Sequence, residues 1–140
     1  MMSLEKRHRA AQGCIDRFSG KTYDPAAHRD CAYMVRHALH LLGRRVGQGK
    51  LPHYTTDLGG IKALRKMGHT NLVEAVDALG LVRIAPLAAL PADIVAVPSD
   101  HPMGALALAV GNGRLLAYVE GEAGAVIVEP KEFVCAWRPL

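Results

Sequence analysis

The chain has 140 residues, half of them apolar and only 5% aromatic, which fits one domain over residues 1–140 with a core mainly of Ala, Leu and Val. No run approaches the roughly 20 apolar residues of a membrane-spanning helix, and the charged opening "MMSLEKRHRAAQGCIDRFSG" lacks the apolar stretch and cleavage site of a signal peptide. The net charge of +4, with clusters at "KRHR" (6–9) and "GRR" (43–45), suits an anionic or protein partner; 13 dispersed acidic residues and the lack of a helix-turn-helix, zinc-finger or RNA-binding motif argue against nucleic acid as the primary ligand.

Leu4, Ala10, Ala11, Cys14, Ile15 and Phe18 recur with a spacing near 3.6, predicting a helix that stops at Ser19-Gly20. "KTYDPAAHR" then reads as a loop, because Pro25 pushes Asp24 out of the helical region. A second helix follows, with Cys31, Met34, Val35, Ala38, Leu39 and Leu42 on one stripe, Asp30 as N-cap and Gly43 as its end. Leu58, Ile61, Leu64 and Met67 predict a third helix, closed by Gly68. Thr70 is placed to cap a short fourth one carrying Leu72, Val73, Val76 and Leu79. From residue 93 the period changes to strands, at 93–99, on both sides of Gly111-Asn112-Gly113, at 124–130 and at 134–139. Helices first and a meandering sheet of about five strands afterwards predict an α+β fold.

The chemistry turns on "DCAYMVRHALHLLG". A cysteine in the first turn of a helix sits at the positive end of the macrodipole, beside unsatisfied N–H groups, and there a thiolate is favoured. Cysteine hydrolases use that placement together with a histidine that takes the proton. Cys31 is also in phase with the apolar stripe, so a buried structural cysteine is the competing reading. Cys14, Cys31 and Cys135 have no CxxC spacing and predict reduced thiols, with no disulfide frame and no metal site.

"DCAYMVRHALHLLG", "ADIVAV" and "GALALAVGNGRLLAY", in that order, resemble the NlpC-type, papain-like cell-wall peptidases. In that family an Asp-Cys step opens the nucleophile helix, an Asp opens a later strand, and a Gly-Asn-Gly hairpin carries the catalytic histidine. The closing "EPKEFVCAWRPL" resembles the ending of small NlpC-like proteins from siphophage tail gene clusters. The resemblance implies an NlpC/papain-like fold, with Asp30, Cys31 and Asp93 at matching positions. Anchoring the hairpin on Gly111-Asn112-Gly113 puts the family histidine at Ala105 and its orienting residue at Ala117, neither of which accepts a proton. Tyr23 stands near the place of the family's flanking aromatic, while "YDPAAHR" replaces its glycine-rich lead-in.

His101 is the candidate replacement base, because an offset of four residues from Ala105 keeps the same sheet face. His53 is expected to lie too far away in its Pro-His-Tyr loop, and His37 and His40 to be solvated. His28 is close in sequence but has no third group to orient it; His8 and His69 are read as surface residues. In the strand at 104–110, Leu106, Leu108 and Val110 are expected to face the core. The small residues Gly104, Ala105, Ala107 and Ala109 are expected to face the Cys31 helix and fill the cleft. Trp137 is read as a core or interface anchor.

The resemblance thus implies a structural component of a phage tail tip, made in the host cytoplasm and carried in the virion, with its hydrolytic site degenerate. Its expected partners are other tail-tip proteins, contacted through the basic N-terminal helix and the 44–56 loop; removing residues 1–12 is expected to leave the domain folded. The alternative is an active cysteine peptidase or amidase, with Cys31 as nucleophile and His101 as base, cutting peptidoglycan during DNA entry. A third reading is an intracellular protein binding a small ligand beside Cys31. No cofactor is expected.

Overall fold

The computed structural model describes residues 2–44 and 53–139. Helix α1 (Leu4–Phe18) starts where Ser3 accepts the Lys6 N–H, and it buries Arg7, Ala10, Ala11, Cys14 and Phe18. A 3-10 turn, Pro25–Ala27, is capped by Asp24 and ends at His28, whose φ of 59° is left-handed. Helix α2 (Cys31–Leu41) begins as the sequence predicts, with the Asp30 carboxylate accepting the Tyr33 N–H at 2.8 Å. Helix α3 (Asp57–Lys66) is capped by Thr56. Helix α4 (Leu72–Asp77) is capped by Asn71, one residue later than expected. Thr70 instead lies outside the helix, and both its N–H and its hydroxyl donate to the Glu74 carboxylate.

Six antiparallel strands follow: β1 (Val82–Ile84), β2 (Ile94–Val97), β3 (Ala105–Gly111), β4 (Arg114–Tyr118), β5 (Ala125–Val128) and β6 (Cys135–Arg138). They form one sheet in the order β1-β6-β2-β3-β4-β5. The α+β architecture, with helices on an antiparallel sheet, is as predicted. The strand missing from the sequence reading is β1, an edge strand of three residues, too short to show alternation.

Ile94 pairs with Leu108 and Ala96 with Leu106, which puts these side chains on the helix-facing side of β2 and β3. There Ile94, Leu106 and Trp137 pack on Val35 and Leu39 of α2 and on Leu72 and Val76 of α4. Leu108, Leu116 and Ala125 pack on Cys14 and Phe18 of α1 and on Met34 and Ala38 of α2. The small residues therefore point the other way from the expectation. Ala107, Ala109, Ala117 and Ala136 cluster with Val95 and Leu115 on the far face, covered by Ile84, Ala89, Val128 and Phe133. Both faces of β3 are buried, so its Leu/Ala alternation alone does not say which face meets the helices.

The expectation that residues 1–12 can be removed with the domain still folded does not agree with the packing of α1. Arg7, within the "KRHR" cluster, is only 2% exposed. Its guanidinium donates to Asp93 Oδ1 at 2.8 Å and to the Pro139 carbonyl at 3.0 Å. Asp93, fully buried at the entry to β2, also accepts from Arg138 Nη2 at 2.9 Å and from the Leu90 N–H at 2.8 Å. Residues 1–12 thus carry part of the core and one arm of a buried ion triad. Lys6, His8 and Arg9 are exposed on the same helix. Of the 44–56 loop, residues 45–52 lie outside the described residues.

Candidate functional site around the Asp30–Cys31 step

Cys31 opens α2, at the helix end that favours a thiolate, yet burial wins. Cys31 and Ala32 pack against the cluster built on Val35, Leu106 and Trp137. Burial pushes the thiol up to about 12, against the pull of the nearby Leu106 backbone N–H; the Asp30 carboxylate raises it further. The residue as a whole keeps partial exposure, but its sulfur lies in the apolar layer. A thiol in that state is a weak nucleophile at neutral pH.

Asp30 is itself 2% exposed. Its carboxyl is raised above the ordinary range by burial, offset in part by donation from the Tyr33 N–H and the Tyr54 hydroxyl. The Tyr54 hydroxyl donates to Asp30 Oδ2 at 2.5 Å. Tyr33 holds Tyr54 in place: its hydroxyl donates to the Tyr54 carbonyl at 2.8 Å and accepts the Tyr54 N–H at 3.0 Å. The stretch at His53 and Tyr54 therefore does reach the Asp-Cys step, through the tyrosine rather than the histidine. Burial, then the Asp30 charge, raises the Tyr54 phenol, so it is a donor that stays protonated.

His101 belongs to a different pairing. Its Nδ1 accepts the Met103 N–H at 3.1 Å, which leaves the ring proton of the neutral imidazole on Nε2. That nitrogen lies 3.6 Å from Asp57 Oδ2. Asp57 Oδ1 in turn accepts the Tyr23 hydroxyl at 2.5 Å. Neither ring nitrogen offers a free lone pair for the Cys31 proton, and among the described residues no hydrogen bond joins His101 to Cys31.

Ala105 and Ala117 are also placed differently from the transferred pattern. Ala117 lies in the cluster on the far face, and Ala105 is one residue out of phase with the helix-facing Leu106. On the helix-facing side of these strands, Leu106 and Tyr118 flank Leu108 and Leu116. Leu106 carries no proton-accepting group. Tyr118, set edge-on to Tyr23 at 5.4 Å between ring centroids, is raised to about 12, chiefly by burial and then by Asp30. Its hydroxyl is buried with no hydrogen-bond partner among the described residues.

Of the remaining histidines, His28 stacks on Tyr33 at 4.3 Å and His53 lies over His28 at 5.4 Å. His37 is half-buried rather than solvated, edge-on to Phe18 at 5.9 Å. The sequence reading missed Tyr54, Asp57 and Tyr118. Thr56, as the cap of α3, places Tyr54 and Asp57 at the mouth of that helix, which was the available signal. Among the described residues no three His, Cys, Asp or Glu side chains form a metal-binding group, and no helix is long and apolar enough to cross a membrane.

The site is thus a protonated thiol and a tyrosine-capped aspartate at a helix start, beside a separate His101–Asp57–Tyr23 chain. No curated protein matches the sequence. Residues 2–139 match the family model described as "Domain of unknown function (DUF6950)", nearly the whole chain, and the protein belongs to that family.

Proposed function

We propose that this protein is a non-hydrolytic structural component of a siphophage tail tip, built on an NlpC-like fold whose peptidase site lacks its base. The observation that carries the loss of activity is the engagement of both His101 nitrogens, one by the Met103 N–H and the other facing Asp57, while burial holds Cys31 as a thiol. What supports the NlpC-like reading is the order of parts: a cysteine-led helix, a strand entered through Asp93, and a hairpin turning at Gly111-Asn112-Gly113. The tail-tip setting is supported by the resemblance of the closing segment "EPKEFVCAWRPL".

Two measurements on particles of a siphophage encoding this chain test the proposal. Mass spectrometry of purified virions is expected to find the protein at a fixed ratio to the other tail-tip proteins. Zymography on peptidoglycan is expected to show no clearing by the wild type or by Cys31→Ser. Absence from virions would overturn the structural role. Clearing by the wild type that is lost in Cys31→Ser would establish the peptidase or amidase reading instead.

A further inference from the structure

A concavity lies at the end of α1 and along α2. It encloses about 260 Å³, slightly below the roughly 300–1,000 Å³ of most small-molecule sites. Its wall on α2 is a stripe at positions i, i+3, i+4 and i+7: Tyr33, Arg36, His37 and His40. Arg17 and Phe18 close it from α1, and the stacked His28 and His53 rings form its rim. We propose that this cavity binds a small phosphorylated ligand, with the guanidinium groups of Arg17 and Arg36 as the principal donors and the His37 and His40 imidazoles completing the shell.

Charge bookkeeping across the molecule favours an anion there. Arg7, Arg29, Arg83, Arg114 and Arg138 each lie within ion-pair distance of a carboxylate. Arg9, Arg17, Arg36 and Arg65 have no carboxylate partner among the described residues; of these four, Arg17 and Arg36 line the cavity, whose described lining includes no Asp or Glu. Phe18, 1% exposed, holds two of the basic groups together: the Arg17 guanidinium lies 5.6 Å from its ring centroid and His37 packs on its edge. Cations gathered on a buried ring with no counter-ion repel each other, and an anion between them relieves that repulsion. Burial first, then the charges of Arg17 and His40, lowers the His37 pKa.

Phosphate suits this shell better than a carboxylate does. It offers three acceptor oxygens to converging donors, and guanidinium groups bind it bidentately. A nucleic-acid strand would need a basic track continuing beyond the cavity. The inference does not depend on the tail-tip role.

The test is calorimetric titration of the full-length protein with sodium pyrophosphate and with inorganic phosphate at low salt, at about pH 6.5 and about pH 8. Pyrophosphate is expected to bind one to one at both pH values, because Arg17 and Arg36 stay charged throughout this range. The Arg17→Gln/Arg36→Gln double variant should bind at least about tenfold more weakly, since it loses both charge-assisted donors. Its melting temperature shows whether the fold is intact. Chemical shifts of the His37 ring protons, followed during titration of the wild type, report occupancy without any substitution and should move with added pyrophosphate. Absence of binding, binding equal in the double variant, or binding only to an oligonucleotide that pyrophosphate does not displace would each overturn the proposal.

Discussion

Asp93→Ala is expected to lower the unfolding free energy by about 3–5 kcal/mol, the usual cost of removing one member of a buried ion group and leaving its partners uncompensated. Asp93 is fully buried, and both of its oxygens are used, by Arg7 from α1, by Arg138 from β6 and by the Leu90 N–H. Without it, the nearly inaccessible Arg7 keeps only carbonyl partners at Pro91 and Pro139. Urea unfolding of the purified variant measures the loss. A loss below about 1 kcal/mol would mean that α1 is not held through this triad. Changing Arg7, Asp93 and Arg138 together to apolar residues should recover much of the loss, because such replacements remove the desolvation cost along with the attraction.

Trp137→Ala should destabilise the fold by a similar amount, about 3–5 kcal/mol, through the cavity left in the core. The ring is completely buried among Ile94, Leu106, Leu72 and Val76, where the sheet meets α2 and α4. Its indole N–H donates to Asp77 Oδ1 at 2.8 Å, and the Arg83 guanidinium, which forks onto the same carboxylate, stacks over the ring. Asp77 is held down at about 2, first by the Arg83 hydrogen bond and then by that of Trp137. A depressed carboxylate stabilises the fold above its ordinary pKa, and the contribution fades as pH falls through about 2. Trp137→Phe keeps most of the packing and loses the donor, so it should cost less and let the Asp77 pKa rise. Thermal unfolding of both variants at neutral pH, with carboxylate titration by NMR, separates the two contributions.

The parts of this architecture that depend on neighbours in sequence were legible. The Asp30 cap, the stripe from Cys31 to Leu42, the stop after Phe18 and the Gly111-Asn112-Gly113 turn rest on spacings of one or two helical turns or on one hairpin. What failed depends on contacts across the chain. The direction of the Ala105–Ala109 face was misread because period two separates two faces without labelling them, and a one-residue register error turns every side chain over. Arg7 read as surface charge because its partner stands 86 residues away. At the candidate site, the position of Cys31 was legible but its environment was not. The packing of Cys31 against the cluster that includes Leu106, and the return of Tyr54 onto Asp30, arise only once helices and sheet are packed.

The central claim, that Cys31 is a protonated core thiol rather than a nucleophile, is tested most directly by its rate of alkylation with iodoacetamide against pH, in protein with Cys14 and Cys135 changed to serine. The thiol is expected to react slowly throughout the neutral range, with reaction rising only towards a pKa of about 12 or on unfolding. Fast modification with an apparent pKa at or below about 6 would mean an activated thiolate with a base in reach, and would contradict the account.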